Sequence, residues 1–231
     1  MGGRCLLVFT KPPIPGRVKT RLIGHLSAGA AAQLHQALLL DLLDALAGGR
    51  FSVRLLVGLE AGEPLPAAPA KVCAAVSRQR GADLGERLWN ALADAARDAD
   101  RIAVVGSDLP GLDAAGVEEA FAALERGGDV AIGPAADGGY CLLAVRGDRL
   151  DARLFTGIDW STPRVLAQTL ERCHQLGLRV VTLAERRDVD VPEDLAWLAD
   201  GLRTGSLASP RVAKWLRRNQ ASSEERSPRS V

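Results

Sequence analysis

Leu6-Leu7-Val8-Phe9-Thr10-Lys11-Pro12-Pro13-Ile14-Pro15-Gly16-Arg17-Val18-Lys19-Thr20-Arg21-Leu22 is an apolar run that breaks on prolines and ends in cations. Leu6 to Phe9 is continuous rather than alternating, as a strand buried on both faces requires. Lys11-Pro12-Pro13 stops it, because proline supplies no N–H to a ladder. Outward from this strand, helix and strand signals alternate. Ser27 to Ala47 reads as a helix capped by Ser27 and ended by Gly48-Gly49. Strands follow at Val53 to Leu59 and, beyond a Pro- and Ala-rich loop over Gly62 to Pro69, around Val72 to Val76. Leu84 to Ala99 has leucines, Trp89 and alanines at helical spacing. Ile102 to Val105, Val130 to Ile132, Tyr140 to Val145 and Val180 to Leu183 read as strands; Ala114 to Arg126, Pro163 to Leu176 and Pro192 to Leu202 read as helices. The order predicts a single α/β domain over 1–207, a three-layer α/β/α sandwich around a mostly parallel sheet. A C-terminal helix is expected over 208–219 and a disordered tail over 220–231, which is rich in Ser, Arg and Glu.

Composition narrows the function classes. A formal net charge of +1 gives no general attraction to nucleic acid or lipid, and an aromatic fraction of 4% supplies no stacking platform for single strands. The longest apolar segment, Ala37 to Leu46, is interrupted by Asp41 and Asp44, so no membrane span is expected. The N-terminus lacks the apolar region and cleavage site of a signal peptide. Cys5, Cys73, Cys141 and Cys173 form no C-x-x-C pair and read as reduced, small side chains of a cytoplasmic protein. His25, His35 and His174 share no metal-ligand spacing.

Charge is instead concentrated locally. Lys11, Arg17, Lys19 and Arg21 fall directly after the first strand, and a helix starting near Arg17 or Val18 would add its N–H groups to theirs. Arg forks and Lys point charges suit a di- or triphosphate; a solvated basic turn is the plainer alternative. This is neither a P-loop nor a dinucleotide fingerprint, since the required glycines are missing. Gly106-Ser107-Asp108-Leu109-Pro110 ends another strand, where a carboxylate can hold Mg²⁺ or Mn²⁺ against phosphate oxygens, or merely shape a turn. Gly133-Pro-Ala-Ala-Asp137-Gly138-Gly139-Tyr140 either brings backbone and Asp137 close to a ligand or makes a tight turn. In Asp188-Val-Asp190-Val-Pro192-Glu193-Asp194-Leu195, the last residues suit a helix start. Asp188 and Asp190 are left free to complete a metal site with Asp108. In a parallel sheet, ligands sit outside the carboxyl ends of the strands, which is where these motifs fall.

The ordered set K-P-x-x-G-x-V-K-T-R-L, G-A-D-L-G-E-R-L, G-S-D-L-P, D-G-G-Y and D-V-D-V-P-E-D-L resembles the nucleotide-diphospho-sugar transferases of the GT-A fold. It is most similar to a small bacterial group of radical-SAM/selenodomain-associated, or arsenosugar-type, glycosyltransferases. The first motif also resembles that of 2-phospho-L-lactate guanylyltransferases. The resemblance runs from about Leu6 to Leu202. It implies a metal-dependent transferase that uses a nucleotide-activated donor, with Lys11, Lys19 and Arg21 on donor phosphates and Asp108 and Asp190 on the metal. It also places Asp83, Gly85 and Arg87 near the nucleotide and Asp137 facing the acceptor. F-T-G-I-D-W-S-T, over Phe155 to Thr162, matches as well. There Ser161 and Thr162, with Gly138 and Gly139, would hold a small acceptor. The S-D-L at Asp108 departs from the usual D-x-D of such glycosyltransferases. Glycosyl transfer is favoured by the whole-chain likeness and nucleotidyl transfer from a nucleoside triphosphate by the basic loop. A non-catalytic nucleotide-binding module is the third reading.

Overall fold

The computed structural model describes residues 3–224. Seven strands form one sheet: β1 (Arg4–Thr10), β2 (Ser52–Val57), β3 (Cys73–Arg78), β4 (Arg101–Gly106), β5 (Val130–Pro134), β6 (Tyr140–Arg146) and β7 (Val180–Thr182). Their order is β3-β2-β1-β4-β6-β5-β7. All neighbours are parallel except β6, which runs antiparallel to both β4 and β5. The expected sheet is thus present, with one reversed strand.

The helices are α1 (Ala28–Ala45), α2 (Leu84–Ala95), α3 (Ala114–Glu125), α4 (Val165–Gln175), α5 (Pro192–Thr204) and α6 (Pro210–Glu224). Successive residues of β1 serve opposite faces of the sheet. Leu6 and Val8 pack with Leu42, Leu43 and Phe121 from α1 and α3, while Cys5 and Leu7 pack with Leu88, Leu92 and Phe155 on the other side. Burial of each such Leu is worth about 1.5–3 kcal/mol, which is why the continuous apolar strands read so clearly. Ser27 caps α1 through a bond from Ala30 N at 3.1 Å, as its sequence position suggested.

Beyond these two layers, α1 turns a further apolar stripe, Leu34 and Leu38, toward Leu198 of α5 and Val212 and Trp215 of α6. The buried Asp41 accepts from Arg211 N and Val212 N at 3.0 Å, so a side chain from the middle of α1 caps α6. Trp215 Nε1 donates to Ala30 O at 3.1 Å. The last helix therefore belongs to the packed body. It continues through 220–224, part of the stretch expected to be a tail, because neither Gly nor Pro interrupts it there. The remainder of that expected tail, 225–231, lies outside the described residues. Among the described residues, no helix is long and apolar enough to cross a membrane.

Candidate active site

β1 and β4 are neighbours in register, with Phe9 opposite Gly106, and from here the strand order runs away in both directions. Such a switch point opens a crevice at the carboxyl ends. The segment after β7 follows β5, with Leu183 N donating to Ile132 O and Arg186 N to Pro134 O, and then crosses to β4, where Val189 N donates to Asp108 O at 3.1 Å. Asp188 and Asp190 thereby flank the end of β4. The result is a cleft of about 360 Å³ lined on one side by Asp108, Asp137, Asp188, Asp190 and Arg21 and on the other by Phe9, Leu84, Tyr140 and Trp160.

Asp194 fixes the two flanking carboxylates. It accepts from Asp190 N and Val191 N, each at 2.8 Å, and from Arg187 Nε at 2.7 Å. Burial would raise its carboxyl, but these donors hold it below the usual carboxylate range. Its role is more specific than complementing a helix dipole: it shapes the turn that carries Asp188 and Asp190.

The cations after β1 are placed differently from the sequence expectation. No helix starts near Arg17; the chain makes only a short 3-10 turn at Thr20–Leu22, because Gly16 and Lys19 both take positive φ. Arg17 forks onto Glu63 and pairs with Glu60, away from the cleft. Lys19 lies buried beneath the cleft floor, its Nζ on Asp108 Oδ2 at 2.6 Å and on Val189 O. Arg21 lines the cleft and bonds Asp190 at 2.6 Å. Lys11 is exposed and has no ion pair among the described residues.

Asp108 is held from two sides. Its Oδ2 takes Lys19, and its Oδ1 takes His35 Nδ1 at 3.2 Å and Ser107 Oγ at 3.3 Å. Burial alone would raise its pKa; the ammonium charge and the His35 bond outweigh that and keep it ionised far below the usual carboxylate range. Asp188 shows the opposite behaviour. Burial raises it first, and the negative charges of Asp137 and Asp190 raise it further. Among the described residues, no three His, Cys, Asp or Glu side chains form a ready metal cage. An all-oxygen edge on which Asp188 is pushed up by burial and by its carboxylate neighbours nevertheless fits Mg²⁺ or Mn²⁺, which commonly take one or two carboxylates and complete their shell with substrate phosphates and water.

Gly139, Ser161 and Thr162 line the cleft as expected. Gly138 has φ 87°, and a Cβ there would stand 2.4 Å from Pro163 O, so the Asp137 turn packs against the Ser161–Pro163 segment with no room for a side chain. The helix expected from Pro163 begins at Val165. Its entry is already engaged: Leu166 N donates to Gly138 O, Arg164 N to Thr162 Oγ1, and Thr162 Oγ1 to Asp159 O. Asp83, Gly85 and Arg87 do not line the cleft. Asp83 caps α2 through Glu86 N at 2.8 Å, and Arg87 Nε donates to Gly81 O. A Cβ on Gly85 would sit 2.6 Å from Trp160 Nε1 and 2.7 Å from Phe155 O. Gly85→Ala is therefore expected to lower stability by about 1–3 kcal/mol despite alanine's better helix propensity, because it drives Trp160 off the cleft wall. Chemical denaturation measures this directly.

The sequence pattern described as "Uncharacterized protein conserved in bacteria (DUF2064)" matches residues 42–162. That span contains Asp108, Asp137 and the Trp160 wall. This chain belongs to the DUF2064 family. The DUF2064 chain is 34% identical over 212 residues to 3-phospho-D-glycerate guanylyltransferase of Phenylobacterium zucineum (strain HLK1), which covers 85% of this chain and 92% of that one. Its fold superposes, with a TM-score of 0.82 and 33% identity over 96% of both chains, on a Desulfovibrio desulfuricans G20 protein assigned as a nucleotide-diphospho-sugar transferase. A Mycobacterium sp. strain JC1 structure shares the fold alone, at TM-score 0.52 and 20% identity over 92% of this chain and 97% of that one. Outside the matched span, the DUF2064 chain contributes Arg21, Asp188 and Asp190 to the cleft lining and Lys19 beneath it.

Proposed function

We propose that this DUF2064 protein is a nucleotidyltransferase, joining the nucleotidyl group of a nucleoside triphosphate to a small acceptor with release of pyrophosphate. The observation that carries this reading is the crowding of Asp137, Asp188 and Asp190 beside Asp108 at the switch point, with Arg21 at the rim. The guanylyltransferase relative supports the same reading. Asp190 and Asp188, with the outward lone pairs of Asp108, would hold Mg²⁺ or Mn²⁺. A divalent cation there would offset the charge of the polyphosphate and of the departing pyrophosphate. Arg21, whose side chain is 61% exposed, and the unpaired Lys11 are the cations within reach of the donor phosphates. Asp137 would face the acceptor, which Gly139, Ser161 and Thr162 would hold, with Gly138 packing the turn against Pro163.

A second reading is supported by the Desulfovibrio likeness: glycosyl transfer from a nucleotide-diphospho-sugar. The finer kinship with radical-SAM/selenodomain-associated or arsenosugar-type transferases belongs to it. Melting the protein with each nucleoside triphosphate or nucleotide-sugar, with Mn²⁺ or with EDTA, separates the readings. Ligand at a hundredfold over its Kd adds about 2.7 kcal/mol. A Mn²⁺-dependent shift with a triphosphate, and pyrophosphate release on adding acceptor, are expected. A shift confined to nucleotide-sugars would transfer the assignment to glycosyl transfer, and no shift with any donor would defeat both.

Relief of carboxylate crowding gives a companion test. Asp188→Asn is expected to be more stable than the parent in EDTA, by about 0.5–2 kcal/mol, because it removes one of the mutually repelling charges. It should also lose the Mn²⁺-dependent rise in melting temperature. A variant that keeps that rise would remove Asp188 from the cation site.

A further inference from the structure

His35 is a buried polar side chain in contact with Asp108 that the proposed function leaves without a task. It sits on α1, a helix buried nearly all round, and is 4% exposed among Leu34, Leu38 and Leu39. An apolar residue there would serve packing as well. The ring is instead held at both ends: Nδ1 donates to Asp108 Oδ1 at 3.2 Å, and Nε2 stands 3.0 Å from the Lys11 carbonyl and 3.1 Å from the Thr10 hydroxyl. One imidazole thus links α1, the first residues after β1 and the carboxylate after β4.

The geometry points to His35 as a positioning residue that fixes the orientation of the Asp108 carboxylate for cation and donor binding. The inference rests on the role given to Asp108 above. Lys19 alone cannot set that orientation: a single ammonium against Oδ2 leaves rotation about the Cβ–Cγ bond open, and an ammonium is a point charge without planar direction. On Oδ1, the His35 N–H at 3.2 Å, beside the longer Ser107 hydroxyl contact at 3.3 Å, supplies a ring donor of fixed direction that closes that freedom, while the Asp108 side chain stays 30% exposed at the cleft. Hydrogen bonds that orient a carboxylate ligand commonly change metal affinity or turnover by about 10–100-fold when removed. The Thr10 hydroxyl matters because, as a donor to Nε2, it keeps the ring from turning its Nδ1 away.

The test compares His35→Leu, His35→Gln and His35→Asn with Asp108→Asn. It reads free Mn²⁺ by electron paramagnetic resonance, kcat and KM for pyrophosphate release, and the melting temperature. The Asn amide can place its N–H where Nδ1–H now lies, whereas Gln reaches toward Lys11 and misses Asp108. Leu and Gln are expected to weaken Mn²⁺ binding and lower kcat by about tenfold or more, with KM for the triphosphate changed much less, and Asn to restore most of both. Nitrogen-15 spectra of histidine-labelled protein should show a slowly exchanging Nδ1–H whose resonance moves in Asp108→Asn. Unchanged Mn²⁺ binding in His35→Leu would overturn the inference. So would equal impairment in all three His35 variants, which would mark packing rather than positioning. If Asp108→Asn itself keeps Mn²⁺ binding and turnover, the assignment of Asp108 falls, and the positioning role falls with it.

Discussion

Asp108→Ala is expected to abolish turnover, if Asp108 serves as proposed above, and to lower the free energy of unfolding by about 3–5 kcal/mol, the cost of leaving one member of a buried ion pair alone. The stranded group is Lys19, whose side chain is 2% exposed and would keep only the Val189 carbonyl. A surface pair would give a much smaller loss, so magnitude separates the two situations. The second variant is Lys19→Met. Alone it should also destabilise, since it leaves Asp108 with only its histidine and serine donors. Combined with Asp108→Ala it should recover much of the lost stability, because no charge is then buried without a partner. Turnover should not recover. Urea unfolding of the two single variants and the double variant gives the coupling energy, and pyrophosphate release gives the activity. Near-additive losses would mean that the pair contributes little, and full activity in Asp108→Ala would remove that residue from the reaction.

Asp194→Ala removes three hydrogen bonds from one buried carboxylate and leaves the N–H groups of Asp190 and Val191 without a partner in a half-buried turn. At about 1–3 kcal/mol for each buried group left unsatisfied, the expected loss is roughly 2–4 kcal/mol. The larger consequence is functional. The released turn carries Asp188 and Asp190, so turnover should fall by about a hundredfold or more although Asp194 does not line the cleft, as expected when reacting groups shift by about an ångström. Asp194→Asn keeps one acceptor oxygen and should fall between the parent and the alanine variant. The pH dependence has a definite sign. A carboxyl held below its unfolded value contributes stability at pH values above the unfolded range. That contribution fades as pH falls through the depressed value. The acid limb of the stability curve should therefore be shallower in Asp194→Ala than in the parent.

The layers were legible because β1, β4 and β5 are continuous apolar runs separated by capped helices, and a strand buried on both faces leaves no other pattern. The reversal of β6 was carried only by the alternative reading of Asp137-Gly138 as a tight hairpin turn, since Tyr140 to Arg146 is as apolar as β4 and β5, to which it runs antiparallel. Asp108 and Asp137 could be placed in one cleft because each lies beside a strand end, and Asp190 because it follows the last strand, whereas Ser161 and Thr162, which precede α4, were placed there by the family resemblance alone. The tasks of Arg17 and Lys19 could not, since their partners Glu63 and Asp108 lie far along the chain. His35 carries no metal-ligand spacing, so spacing among the histidines does not reveal it. The signal that could have found it is a lone polar ring inside the apolar stripe of α1. Asp41 and Asp44 were read only as interruptions of an apolar segment, yet Asp41 is what receives the N-terminus of α6.

That last contact has a bearing on synthesis. α1 is complete once residue 45 has left the ribosome, but the stripe that receives Val212 and Trp215 must wait until those residues have been translated in turn. At about 5–20 residues per second the wait is some ten to thirty seconds, during which an apolar face and the buried-to-be Asp41 are open to water and to other chains. The nascent protein therefore carries this open face from the completion of α1 until α6 emerges to cover it.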